Sequence, residues 1–411
     1  MDIELKAILS NNQIDSSQTV SQRQLSVYLS AKREYPEESL PLNLCLVLDK
    51  SGSMRGLSMD AVKQAALSLV KKLSPQDRLA IVTFNHWAEV LLPNQFATDV
   101  KSITEQIQAI EADGGTAIDE GLKLGIKEIA GQRDKRVSHI FLLTDGENEH
   151  GDNQKCLKLA QLALEYNITL HTLGFGDHWN QDILEKIADS AGGSLSYIEK
   201  PAEAMEKFSR LFDRMQSVGL TNAHLLLDFI PEVRLAELKP VAQVAPETVE
   251  LSVQEEDEYL SVRLGDLMTD TERVVLVNFY LSKLPVGTQT IGNVLVRYDD
   301  PGLPETEILS DSVQVQVQVA TKYQPQTNDR VDKHILTLAK YRQTRIAETK
   351  LKEGDKVGAA TMLQIAAQTA LQLGDEGAAT VLQSSATCLQ SGEGLSDEEQ
   401  KKTRIVSKII V

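Results

Sequence analysis

From Leu42 to Gln216 the chain repeats one pattern: a short apolar strand, a loop, then an amphipathic helix. No other feature restricts the fold as strongly, because this alternation calls for a mostly parallel sheet covered by helices on both faces. Strands are expected at Asn43–Leu48, Arg78–Phe84, Val137–Thr144 and Ile168–Gly174, with a shorter one at Ser194–Tyr197. Between them Val62, Ala65, Ala66, Leu69, Val70 and Leu73 recur at helical spacing, as do Ile103, Ile107 and Ile110. Leu157, Ala160, Leu164 and the stretch Pro201–Gln216 behave likewise. Arg78–Phe84 and Ala88–Leu92 are separated by too few residues for a helical crossover, so they form a hairpin and make one edge strand antiparallel. The expected unit is an α/β domain over residues 41–217, a doubly wound, mostly parallel sheet with an antiparallel edge strand.

At Gly219 the period changes to two. Runs such as AHLLLDFI, YLSVRLG, RVVLVNFYL and SVQVQVQV alternate between Pro, Gly, Asp and Glu turns, which is the pattern of an antiparallel sandwich or barrel. In Ser312–Val319 the valines are expected to face the core. The first 34 residues hold two further strand-like runs, IELKAIL and RQLSVYLSAKR. An isolated strand pair is marginal. Either these strands complete the sheet of residues 219–320, making a β-sandwich of 1–40 and 218–322 with the α/β domain inserted in it, or they form a separate hairpin on the α/β domain. The last part, 328–411, reads as a C-terminal helical region of close-packed antiparallel helices broken at Gly354-Asp355 and Gly374–Gly377.

A chain of 411 residues with 42% hydrophobic side chains fills more than one core. Its formal net charge of -17 argues against nucleic acid and anionic membrane as partners. No segment reaches the roughly 18 apolar residues of a membrane span. The start MDIELKAILSNNQID lacks the basic and apolar parts of a secretion signal, and the three cysteines, Cys45, Cys156 and Cys388, suggest buried thiols, not a disulfide framework. A cytoplasmic location is the expectation that follows.

Chemistry concentrates at the carboxyl ends of the expected strands. Asp49-Lys50-Ser51-Gly52-Ser53 follows the strand NLCLVL directly, and its carboxylate and two hydroxyls at alternate positions can converge on one point. Gly114-Gly115-Thr116 precedes a helix, and Thr144-Asp145-Gly146 ends the strand VSHIFLLT. In open α/β sheets ligands sit at this end, where the strand order switches. Hard oxygen donors suit Mg²⁺, with Ca²⁺ or Mn²⁺ able to replace it.

These three segments resemble the metal-ion-dependent adhesion site of von Willebrand factor A-type domains. The Asp-x-Ser-x-Ser signature is matched by Asp49, Ser51 and Ser53, the threonine loop by Thr116 and the aspartate loop by Asp145. The resemblance covers Leu42–Gln216 and implies a Rossmann-like fold. It further implies a metal held by Asp49, Ser51, Ser53, Thr116 and Asp145, with one coordination position left for an Asp or Glu of a protein partner. The flanking regions resemble, in their order, the layout of bacterial multidomain members, some of which work beside a chaperone-like ATPase. The expected function is therefore metal-dependent protein binding by an intracellular scaffold or assembly factor. Two other readings stay open: a metal that only stiffens its own loops, and a metal-assisted hydrolase with Glu147 as base. Phosphate-loop and dinucleotide fingerprints are absent, and no enzyme is expected.

Several residues around the site have two readings. Lys50 either tunes the partner surface or is simply solvated. Trp179, in the loop after Gly174, either anchors a partner or packs at a helix start. His139 and His171 are expected to pack in the core or at its rim, and His150 to border the binding face. The helix Pro201–Gln216 presents Met205, Phe208, Leu211, Phe212 and Met215 on one face. It is either plain core packing or, as the sole continuous rigid link from the metal face to Gly219, also a route by which partner binding moves the two domains.

Overall fold

The computed structural model describes residues 2–32, 40–131 and 136–409. The N-terminal segment forms β1 (Asp2–Leu9), β2 (Gln13–Asp15) and β3 (Val20–Lys32). The α/β domain follows as β4 (Leu42–Asp49), α1 (Leu57–Val70), β5 (Arg78–Phe84), β6 (Ala88–Phe96), α2 (Val100–Gln108), α3 (Ile118–Ala130), β7 (Val137–Thr144), α4 (Asn153–Glu165), β8 (Ile168–Phe175), α5 (Gln181–Ser190), β9 (Leu195–Ile198) and α6 (Ala204–Gln216). Then come β10 (Val218–Phe229), β11 (Val233–Leu235), β12 (Val241–Ala245), β13 (Val249–Leu251), β14 (Gln254–Glu256), β15 (Tyr259–Met268), β16 (Arg273–Ser282), β17 (Gly287–Asp299), β18 (Ile308–Leu309) and β19 (Val313–Ala320). Four helices close the chain: α7 (Asp329–Lys352), α8 (Lys356–Leu373), α9 (Glu376–Gln390) and α10 (Asp397–Lys408).

The sheet of the α/β domain has the order β6-β5-β4-β7-β8-β9, parallel except for the β5–β6 hairpin at its edge. Every residue of β4 is buried. A parallel strand covered on both faces has no polar side, which is why NLCLVL reads as one apolar run. Alternate residues serve two cores: Leu44, Leu46 and Leu48 pack with α1, α2 and α6, whereas Cys45 and Val47 pack with α3, α4 and α5. The connection leaving β4 enters α1 on one face of the sheet, and that leaving its neighbour β7 enters α4 on the other. That opens the crevice at the carboxyl end of β4.

β3 pairs with β16 along its length, with Val27 opposite Val275, while β2 joins the other sheet beside β19. The N-terminal segment thus contributes to both sheets of a sandwich, and the α/β domain is inserted between β3 and β10. Leu25, Val27 and Leu29 share a core with Leu225, Leu227, Val315, Val317 and Val319. Helix α7 covers the outer side of one sheet, setting Val331, Leu338 and Tyr341 on Tyr28, Val244 and Leu276. Alanines dominate the core of the remaining helices. Met1, residues 33–34 and residues 410–411, which fall in the expected terminal strands and last helix, lie outside the described residues.

One expectation about Pro201–Gln216 needs correction. Met205 is 50% exposed, so the buried stripe of α6 is Ala204, Phe208, Leu211, Phe212 and Met215, and Pro201–Glu203 forms a separate 3-10 turn. α6 runs directly into β10, and side-chain and backbone contacts join the two domains as well. Buried Asp266 of the sandwich accepts a hydrogen bond from Thr169 at 2.6 Å and lies 3.3 Å from His139 Nε2. Arg263 donates to Leu164 O at 3.2 Å, and Thr269 N donates to Ser217 O at 2.8 Å. The helical region grips the α/β domain as well, through Arg404 with Glu185 and Lys408 with Asp189, each at 3.1 Å.

Candidate metal centre

Beyond the end of β4, Lys50 N still donates to Phe84 O at 2.8 Å, prolonging the strand's ladder. The chain then turns, and Gly52–Met54 makes one turn of 3-10 helix. Gly52 N donates to Gly114 O and Asp113 N to Lys50 O, each at 2.8 Å, so the first loop and the threonine loop are stitched together by backbone bonds. Gly114 has φ +84, a left-handed conformation that favours glycine.

Both oxygens of Asp49 are held. Oδ1 accepts from Ser51 N at 2.7 Å and Oδ2 from Thr144 Oγ1 at 2.6 Å. Ser51 Oγ and Ser53 Oγ are 3.0 Å apart, and Ser53 Oγ donates to Asp145 Oδ1 at 2.7 Å. A Cβ added to Gly146 would lie 3.3 Å from Thr116 Oγ1 and 4.0 Å from Ser53 Oγ, so glycine there lets the aspartate loop close on the threonine loop. Asp49, Ser51, Ser53, Thr116 and Asp145 are thus gathered at one end of the sheet. Two more residues belong to the arrangement, neither of which the sequence assigns a role there. Thr144 orients Asp49, and Asn148 Oδ1 accepts from Ile118 N at 2.7 Å, satisfying the start of α3. The register of β7 on β4, with Leu143 beside Leu48, brings Thr144 next to Asp49, and one chain read alone does not reveal it.

Asp49 has no exposed surface and Thr116 is 4% exposed, whereas Ser53 is exposed and Asp145 half-buried. Burial pushes the Asp49 carboxyl up to about 6, against the hydrogen bonds from Thr144 and Ser51. Burial also raises Asp145, against its bond from Ser53. Among the described residues neither carboxylate has a Lys or Arg ion-pair partner. Desolvated carboxylates in that position are stabilised by a cation. No group of three or more His, Cys, Asp or Glu able to hold a metal occurs among the described residues, and this site gathers two carboxylates with hydroxyls. Its donors are hydroxyls and carboxylates, the set that suits Mg²⁺, Mn²⁺ or Ca²⁺.

The residues around the site are placed by their contacts. Lys50 forms an ion pair with Glu89, so it is not a plainly solvated lysine. Trp179 is 3% exposed: its Nε1 donates to Gly176 O at 2.6 Å and its ring packs 5.7 Å from that of Tyr197. It is a packing residue, and the exposed indole is Trp87, at 62%. His86 Nε2 accepts from Gly115 N at 3.1 Å, and the rings of His86 and His150 meet edge to face at 4.4 Å beside the threonine loop. His139 and His171 are buried and hydrogen-bonded to each other at 3.1 Å. Cys45 and Cys156 are buried, the latter thiol pushed up to about 12 by burial. Cys388 is half-buried.

The von Willebrand factor type A domain profile matches residues 43–211, and the profile of the Sll0103-like C-terminal alpha-helical domain matches residues 329–411. The Synechocystis protein sll0103 is 58% identical over 408 residues, covering 99% of this chain and 97% of its own length. YfbK of Escherichia coli is 30% identical over 212 residues, but the match spans 37% of that protein. Among solved structures, a von Willebrand factor type A protein from Catenulispora acidiphila superposes over 100% of this chain and 97% of its own with a TM-score of 0.83 at 18% identity, a likeness of fold.

Proposed function

We propose, from the premise that this chain belongs to the Sll0103-like family of von Willebrand factor type A domain proteins, that its metal loops bind one Mg²⁺ and present it to an Asp or Glu of a protein partner. Domains of this type mediate protein–protein interaction. Asp49, Ser51, Ser53, Thr116 and Asp145 would hold the ion, and Ca²⁺ or Mn²⁺ can replace it. When bound, it supplies a positive point that stabilises a partner carboxylate. The observation that carries the reading is Asp49, a fully buried carboxylate fixed by two hydrogen bonds with no cationic side chain beside it among the described residues.

Exposure favours this reading over a metal that only stiffens the loops. Ser53 is exposed and Asp145 half-buried, so the outer side of the site stays open to solvent and to a partner. The role is binding without catalysis. We place the chain as an intracellular scaffold or assembly factor, with a chaperone-like ATPase as a candidate partner. The net charge of -17 supports a protein partner over nucleic acid or an anionic membrane. No helix among the described residues is long and apolar enough to cross a membrane.

The test is capture on the immobilised full chain, with Mg²⁺ or with a chelator, and on a Thr116→Ala variant. A protein set retained only by the Mg²⁺-loaded wild type supports the reading. The same set retained in chelator and by the variant overturns it.

A further inference from the structure

Trp87 stands on the turn between β5 and β6, at the same end of the sheet as the metal loops, with most of its surface in solvent. The turn that carries it is braced. Asn85 N donates to Trp87 O at 2.9 Å, Ala117 N to Asn85 O at 2.7 Å, and Asn85 Nδ2 to Asp113 O at 2.9 Å. Gly115 N donates to His86 Nε2, and the His86 ring meets that of His150, whose N donates to Thr116 O at 2.9 Å. The turn of Trp87 is thus tied to the threonine loop directly and to the aspartate loop through His150. A ring presented on so fixed a turn needs little ordering when it is used in binding, and tryptophan is among the residues that dominate contact energies.

The loops around it are acidic. The side chain of Asp113 is 89% exposed, and Glu89, Glu147 and Glu149 are exposed too. Their cationic neighbours on these loops are Lys50, paired with Glu89, and Arg55, 3.9 Å from Asp113. This excess of one sign decides what the indole takes. An aliphatic side chain set on Trp87 would draw the surrounding carboxylates out of water without pairing them. A guanidinium or ammonium is attracted by the ring face and stays in the field of those carboxylates. The net charge of -17 favours a basic partner in the same sense.

We propose that Trp87, within this acidic rim, receives an Arg or Lys side chain of the segment whose carboxylate meets the metal loops. The proposal rests on the metal-dependent binding reading and adds the partner's chemistry: one acidic residue close in sequence to a basic one. The carboxylate goes to the cation, and the basic side chain goes to the indole and the rim.

The experiment uses the full chain with Mg²⁺ and capped peptides that hold one Asp and one Arg separated by two or three glycines, in either order. Counterparts carry citrulline, the neutral isostere, in place of Arg, or Asn in place of Asp. Affinity is read by titration, and contact by the indole N–H resonance of Trp87, assigned with Trp87→Tyr. At least one Asp–Arg peptide should bind about threefold or more tighter than its citrulline counterpart and shift that resonance. Trp87→Ala should remove the increment and leave Mg²⁺ affinity unchanged, Trp87→Tyr should keep part of it, and raising the ionic strength should shrink it. No binding of any peptide, no arginine increment in any of them, or an increment that Trp87→Ala leaves intact overturns the inference. Asp49→Asn separates the readings. If it leaves every affinity unchanged while the increment is present, the metal reading fails and the Trp87 contact stands; if Mg²⁺-dependent binding of Asp is present without the increment, the contact fails and the metal reading stands.

Discussion

Ser53 Oγ donates to Asp145 Oδ1 at 2.7 Å across 92 positions of sequence. That bond joins the loop after β4 to the loop after β7, and it closes only because these strands are neighbours in the sheet. Removing the carboxylate of Asp145 should therefore separate the two loops as well as weaken cation binding. For Asp145→Ala we expect a loss of Mg²⁺ affinity of at least tenfold, with a melting temperature close to wild type because the site is at the surface. Calorimetry and a thermal melt check the two halves.

Removing the N-terminal strands should expose the sandwich. A chain beginning at Pro41 lacks β3, which covers β16 from Arg273 to Ser282, and leaves that apolar strand as an open edge. It should aggregate or melt early. The fragment 40–217 should fold, because its six-stranded sheet draws all its strands from within it. Melting of the truncated chain at the wild-type temperature would contradict the insertion.

Two glycines separate packing from chain entropy. A Cβ at Gly193 would overlap the backbone carbonyl of Leu170, so Gly193→Ala should cost about 1–3 kcal/mol or more. At Gly131 nothing among the described residues lies within 4 Å and the conformation is right-handed helical, so Gly131→Ala should be neutral or stabilising by about 0.4–1 kcal/mol. Urea denaturation of both variants tests the pair.

Acid should weaken the join between the α/β domain and the sandwich. Burial holds the His171 ring well below its ordinary value of 6.5, with His139 and Arg214 adding to the effect, and Ser194 N donates to His171 Nδ1 at 3.2 Å. The folded chain keeps this ring neutral, while the unfolded chain protonates it as pH falls through about 6.5. Stability from this group is thus present above pH 6.5 and lost below it, by up to about 1.4 kcal/mol per pH unit. Melts between pH 7.5 and 5.5 should show a steeper fall for wild type than for His171→Asn. Parallel slopes would contradict the assignment.

Much of this was legible in the sequence because parallel strands and amphipathic helices have distinct periods. That Asp49, Ser51, Ser53, Thr116 and Asp145 gather at one end of the sheet could be read because each follows or precedes an element whose end is marked by its own pattern, as Asp49 follows NLCLVL. Relations between elements were not legible. Thr144 acts on Asp49 through strand register, and Met205 turns outward although its apolar character fits the stripe. The sequence leaves Trp179 open between anchor and packing because the residues that cover it, Gly174, Tyr197 and Lys401, come from separate parts of the chain. The same holds for Arg404, whose partners Asp182, Glu185 and Glu348 no local pattern connects.

The most direct test of the central claim is calorimetric titration of Mg²⁺ into the metal-free full chain, with Asp49→Asn and Thr116→Ala beside it. The account predicts a single site in the wild type, at least tenfold weaker or undetectable in both variants, with circular dichroism unchanged. Absence of Mg²⁺ binding in the wild type, or tighter Zn²⁺ binding that Asp49→Asn leaves untouched, would contradict it.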